Sequence, residues 1–184
     1  MAHKVAPAIA VGAPVVLKPA PKTPLSALVL AEIIADTDLP AGMVSVLNVP
    51  NDQASSLVAD ERLPVVSFTG SGPVGWQIQQ AVPHKHVTLE LGGNAAAVVC
   101  GDYGSDADLE WAATRIATFS NYQAGQSCIG VQRVFVAESV YDAFKERLLA
   151  AVAALKTGDP GDEATQVGPV INEEAADRIE QWLG

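Results

Sequence analysis

Cysteine is scarce in this chain of 184 residues: only Cys100 and Cys128 are present. That is too few for a disulfide framework. The two could pair, but two thiols in an acidic, signal-free chain point to a reduced, cytoplasmic setting. Basic residues are also few, 11 Lys and Arg against 21 Asp and Glu, for a net charge of −10. Such a balance repels phosphate backbones and anionic lipid, so neither nucleic acid nor a membrane surface is an expected partner. No apolar run reaches the roughly 20 residues that a spanning helix needs. Lys4 followed by Val5 to Leu17 mimics a secretory signal. Pro7, Gly12 and Pro14 interrupt that run and no small-x-small cleavage site follows, so no signal peptide is expected. Repeats and low-complexity tracts are missing, and no metal site is expected.

What is present describes a globular protein. Apolar residues make up 49% and charged residues 17% of the chain, enough for a real core. The length suits one domain or pieces of two. Short apolar runs at Val15–Leu17, Val44–Val49, Val65–Phe68, Val87–Leu91, Ala95–Val99 and Val131–Val136 read as strands. Between them lie helical stretches at Ser26–Ala35, after Gly75 through Gln80, and from Asp106 or Asp108, as N-cap, to Ser120. Val140–Leu155 and Asn172–Leu183 read as further helices. Strands alternating with helices predict an α/β fold with a parallel sheet. A boundary near Glu90–Leu91 divides it into residues 1–90 and 91–184.

Two stretches carry chemistry. Gly70-Ser71-Gly72-Pro73-Val74-Gly75 fits G-x-G-x-x-G between a strand and a helix, and Glu90 lies 20 residues past Gly70. Alone, this is either a plain strand–turn–helix corner or a dinucleotide fingerprint with Glu90 on a ribose. The second stretch is Asn121-Tyr122-Gln123-Ala124-Gly125-Gln126-Ser127-Cys128, a thiol at the end of a polar loop. Such a setting leaves a thiol accessible and brings backbone N–H groups near it. Cys100 ends the apolar run Ala95–Val99 and is expected to be a small buried hydrophobe. A thiol and a carboxylate are the equipment for a covalent thioester that water later hydrolyses.

Together these segments resemble the NAD(P)-dependent aldehyde dehydrogenase superfamily. Gly125-Gln126-Ser127-Cys128 resembles that family's G-Q-x-C motif, and Glu90-Leu91-Gly92-Gly93 its general-base signature. Phe68-Thr69-Gly70-Ser71 with Gly75 is similar to its phosphate loop, and Val16-Leu17-Lys18-Pro19 to its Lys-Pro strand. Ala2–Pro7, Leu39-Pro40-Ala41-Gly42 and Gly158-Asp159-Pro160 through Gly168-Pro169 are further landmarks, so the resemblance covers nearly the whole chain.

The resemblance implies a parallel-sheet aldehyde dehydrogenase-like fold, incomplete at both ends. Residues 1–90 would be part of a Rossmann-like NAD(P)-binding domain, and 91–184 part of the thiol-bearing catalytic domain. It implies an aldehyde dehydrogenase acting on a small aldehyde with NAD or NADP. Cys128 would be nucleophile and Glu90 general base. Lys18, Gly70, Ser71, Gly75 and Leu91 would bind cofactor. Val74-Gly75-Trp76, Glu90 to Ala96 and Gln126 to Arg133 look most like members acting on small hydroxy- or phosphonoaldehydes.

The chain also departs from the family pattern. Three family segments have no counterpart here: the Pro-x-Asn supplying an oxyanion donor, the Glu-x-Phe-Gly-Pro that clamps the nicotinamide ribose, and the arm through which members form homo-oligomers. Neither Asn94 nor Asn121 fits the oxyanion role. Pro21 stands where many NAD-preferring members have a glutamate, which leaves NADP open. These departures predict little activity from the 184 residues alone. The alternative is a catalytically inactive remnant that at most binds nucleotide or a protein partner.

Overall fold

A computed structural model describes residues 1–184. The chain divides into two compact units, Met1–Leu91 and Gly92–Gly184. No helix is long and apolar enough to cross a membrane.

In the first unit, helix α1 (Ala2–Ala10) precedes strand β1 (Val15–Leu17), helix α2 (Leu25–Ala35) and strand β2 (Val44–Val46). A short helix α3 (Ala54–Ala59), which the sequence pattern did not reveal, leads to strand β3 (Val65–Thr69), helix α4 (Gly72–Ala81) and strand β4 (His86–Glu90). β1 pairs in parallel with β2, and β3 with β4, so the unit holds two strand–helix–strand repeats. The β3–β4 register sets Ser67 opposite Thr88 and Thr69 opposite Glu90. Both strands alternate strictly between exposed and half-buried positions. Ser67, Thr69, Thr88 and Glu90 therefore share one polar face, and Val66, Phe68, Val87 and Leu89 the other. Lys85 is the one buried charged residue, and its ammonium donates to the carbonyls of Val58 and Asp60, each at 2.6 Å.

The second unit runs β5 (Ala96–Val99), α5 (Asp106–Asn121), β6 (Arg133–Val136), α6 (Tyr141–Ala153) and α7 (Glu173–Leu183). β5 and β6 pair in parallel. Ser105, not an aspartate, caps α5: its hydroxyl accepts from the amide of Asp108 and donates to the Asp108 carboxylate. The sequence Ser-Asp-Ala-Asp offers three side chains of similar capping strength, and the reciprocal pair selects the serine. Leu109, Ala112, Ala113, Ile116 and Ala117 are buried at the spacing of one helix face. All but Ala117 pack with Val99, Val140 and Phe144 over Ala97, Val134 and Val136 of the strands. Asn172, expected as the first residue of a helix, instead caps α7 and accepts from the amide of Ala175.

One expectation fails here. Cys100 is exposed, not buried. α5 and α6 cover only the strand face that carries Ala97 and Val99. The intervening side chains, Val98 and Phe135, stay 68% and 55% exposed, and Cys100 follows Val98 on that alternation.

Candidate active site

In the first unit the candidate residues gather around the ends of β3 and β4. The Gly70 amide donates to the Glu90 carbonyl at 3.1 Å, extending the parallel ladder by one bond. Ser71 is the N-cap of α4, which begins inside the glycine-rich loop at Gly72. Its side chain makes no capping bond, so its hydroxyl and the amides of Gly72 and Val74 have no internal partner at the helix N-terminus. Gly75 is buried, and a Cβ on it would meet Leu91 Cδ2 at 2.6 Å and Leu89 Cδ2 at 3.4 Å. Only a glycine lets α4 sit this close to the strand that ends in Glu90. A Cβ at Gly70 would meet the Phe68 ring at 2.5 Å.

Lys18 lies apart from that cluster, just past the end of β1. Its ammonium donates to the Pro19 carbonyl at 2.9 Å and to Asn51 Oδ1 at 3.2 Å.

Sequence reasoning gave no functional part to Lys4. Its ammonium, projecting from α1, donates to Ser67 Oγ at 2.7 Å. Burial pushes Lys4 below its ordinary pKa, while the charge of Glu90 pulls it back up. Lys4 thus brings a positive charge to the polar face that carries Glu90. Nothing local signals this, because the two residues belong to elements far apart in the chain. The one clue is the lysine immediately before the apolar stretch Val5–Leu17.

Cys128 belongs to the second unit and is exposed. The loop that presents it starts where α5 stops. Gln123, Ala124 and Gly125 take φ of 54°, 55° and 72° in succession, a left-handed turn. For residues with a Cβ this conformation costs on the order of 1 to 2 kcal/mol each. Several bonds hold it. Gln126 donates to the Gln123 carbonyl twice, from its backbone amide at 3.1 Å and from Nε2 at 2.8 Å. Gln126 Oε1 accepts from the Ile171 amide at 2.9 Å. The Tyr122 and Ser127 hydroxyls form a short mutual hydrogen bond. The Val131 amide returns the chain to the Phe119 carbonyl at 3.2 Å. Gly93 passes beside this loop, and a Cβ on it would lie 3.5 Å from the Cys128 carbonyl oxygen. Asn121 does not face a reacting atom: its amide donates to the Ala117 carbonyl and Ser120 Oγ, both at 2.9 Å.

These features fit a nucleotide's pyrophosphate in the first unit and a thiol nucleophile in the second. The uncapped start of α4 presents N–H groups and a hydroxyl, the donors that a phosphate needs.

A model of the aldehyde dehydrogenase family matches residues 1–184. The 3-sulfolactaldehyde dehydrogenase of Priestia aryabhattai is 41% identical over 182 residues, covering 98% of this chain and 37% of that protein. The crystal structure of aldehyde dehydrogenase 21 from Physcomitrella patens, in complex with the reaction product succinate, superposes with a TM-score of 0.90 at 50% identity. That match covers 98% of this chain and 37% of the other. A Mycobacterium tuberculosis aldehyde dehydrogenase complexed with NAD+ superposes with a TM-score of 0.87 at 36% identity, covering 97% and 37%. The chain belongs to the aldehyde dehydrogenase family and has part of its α/β fold. It spans about 37% of the length of the relatives it matches.

Proposed function

We propose that this chain carries the chemical centre of an NAD(P)-dependent aldehyde dehydrogenase, with Cys128 as nucleophile and Glu90 as general base. The observation that carries this reading is the exposed Cys128 thiol, presented by a left-handed turn in a chain of this family. Residues 1–90 are assigned to the cofactor domain and 91–184 to the catalytic domain. A small aldehyde is the proposed substrate class, supported by the names of the relatives. Free thiols at Cys100 and Cys128 favour a reducing compartment such as the cytoplasm.

The Cys128 thiolate attacks the aldehyde carbon, and a C–S bond forms while the carbonyl oxygen takes the negative charge. The backbone N–H of Cys128 would stabilise that oxygen. A bound nicotinamide cofactor would supply the hydride acceptor that oxidises the Cys128 adduct to the thioester. Ser71 and the amides of Gly72 and Val74 would hold its pyrophosphate, Gly70 and Gly75 would shape that loop, and Lys18 would reach the adenosine ribose. Leu91 belongs to the same binding set. Glu90 takes a proton from water as that water attacks the thioester. The C–S bond breaks, the carboxylic acid leaves, and the thiol is recovered. Lys4 brings a positive charge to the strand face that carries Glu90.

An activated ester tests nucleophile and base without the cofactor. With 4-nitrophenyl acetate, the Cys128 thiolate should displace 4-nitrophenolate and become acetylated, located by peptide mass mapping. Glu90→Gln should keep acylation and slow deacylation. Cys100→Ala should change nothing. Aldehyde with NAD+ or NADP+, followed by reduced nicotinamide, then reads the full reaction. Acetylation of folded protein at Cys100 alone, or a Glu90→Gln protein that deacylates at the normal rate, would overturn the assignment.

A further inference from the structure

Resting on the reading of Cys128 as nucleophile, we infer that Gln126 is a positioning residue that clamps the nucleophile turn to the segment leading into α7. The turn holds Gln123 and Ala124 against the backbone preference of residues with a Cβ. A primary amide carries a donor and an acceptor on one planar group, and Gln126 uses both. Nε2 binds the Gln123 carbonyl inside the turn. Oε1 binds the Ile171 amide, 45 residues away. The next residue, Asn172, caps α7, so the anchor is itself fixed. Tyr122 and Ser127 close the turn on itself, whereas Gln126 ties it to something outside. Cys128 lies two residues further on. Released from the clamp, the turn would relax toward right-handed backbone and carry the thiol with it.

The test uses the whole chain and iodoacetamide, with Cys100 as the internal reference. Both thiols are exposed, so the ratio of their alkylation rates reports presentation of Cys128 and not bulk unfolding. Gln126→Leu should lower the Cys128 to Cys100 ratio by about threefold to tenfold, the span expected of one or two hydrogen bonds in part open to water. It should also speed hydrogen exchange at the Ile171 amide. Gln126→Glu keeps an acceptor for Ile171 but cannot donate to the Gln123 carbonyl. It should therefore restore slow exchange at Ile171 while the alkylation ratio stays low. A merely structural glutamine would not split the two readouts. If Gln126→Leu does not fold, Gln126→Glu decides alone. A ratio at wild-type level in both variants, with Cys128 still the faster thiol, overturns the clamp and leaves the nucleophile standing. A wild-type Cys128 no faster than Cys100 overturns the nucleophile reading, and this inference with it.

Discussion

The two units use the same strand–helix–strand repeat and hold it together differently. Gly92–Gly184 buries nine apolar side chains, seven of them in one cluster centred on α5, α6 and the strand face below. Met1–Leu91 buries three, scattered at Val5 of α1, Ala27 of α2 and Val82 just past α4. Its most deeply held polar group is Lys85, bonded to two carbonyls. In α2 this unit leaves Leu25, Val29 and Ile33 more than half exposed. One unit is thus stabilised by a packed core and the other by local pairing and a buried ammonium. The units also divide the proposed chemistry, with the strained turn and the nucleophile on the better-packed one. Strain of that kind persists only where the surroundings hold it.

The sharpest way to break this contrast is Phe144→Ala. Phe144 is 1% exposed at the middle of the cluster, and its loss should cost about 3 to 5 kcal/mol. Hydrogen exchange should accelerate throughout Gly92–Gly184 and leave Met1–Leu91 unchanged. Equal acceleration in both would mean that the two unfold as one. The matching change in the first unit is Lys85→Met, which keeps the stem and leaves two carbonyls unpartnered. It should cost about 1 to 3 kcal/mol, read as a lower urea midpoint with faster exchange around β4. A smaller effect is expected of Ser105→Ala, about 1 kcal/mol, confined to the first turn of α5. Restoration by Ser105→Asp would tie it to the cap.

The smallest effect concerns acid. Hydrogen bonds from the Arg62 side chain and backbone hold the Asp60 carboxyl well below the usual carboxylate range. A depressed folded-state pKa gives stability that is present above the unfolded value, near 3.9, and lost as pH falls through the folded one. The urea midpoint should therefore carry an Asp60-dependent decline only below about pH 4. Asp60→Asn should remove that part of the decline and lower the midpoint slightly at neutral pH, where the wild-type carboxylate still holds its bonds to Arg62.

The strand and helix order was legible because apolar runs and their spacing carry it. Val65–Phe68 and Val87–Leu91 could be placed to within a residue of β3 and β4. Cys100 was misjudged for a physical reason. A short run such as Ala95–Val99 reads as a strand covered on both faces, and in this chain helices cover one. The turn at Gln123 and Ala124 was invisible because neither residue is glycine, so nothing in the letters marks a positive φ. The Gln126–Ile171 bond and the approach of Lys4 to Glu90 join residues distant in sequence, which no local pattern encodes. The resemblance itself was legible from motifs in order, and it named Cys128 and Glu90 where periodicity could not.

The pairing scheme has a kinetic consequence. Each strand finds its partner in the next strand of the sequence, across a single intervening crossover. Partners are roughly 20 to 40 residues apart, so the loop-closure entropy of each pairing is modest and nearly the same. A strand leaving the ribosome would not have to wait for a distant segment before pairing. Nascent chains cut at Glu90 should already protect the β3–β4 amides.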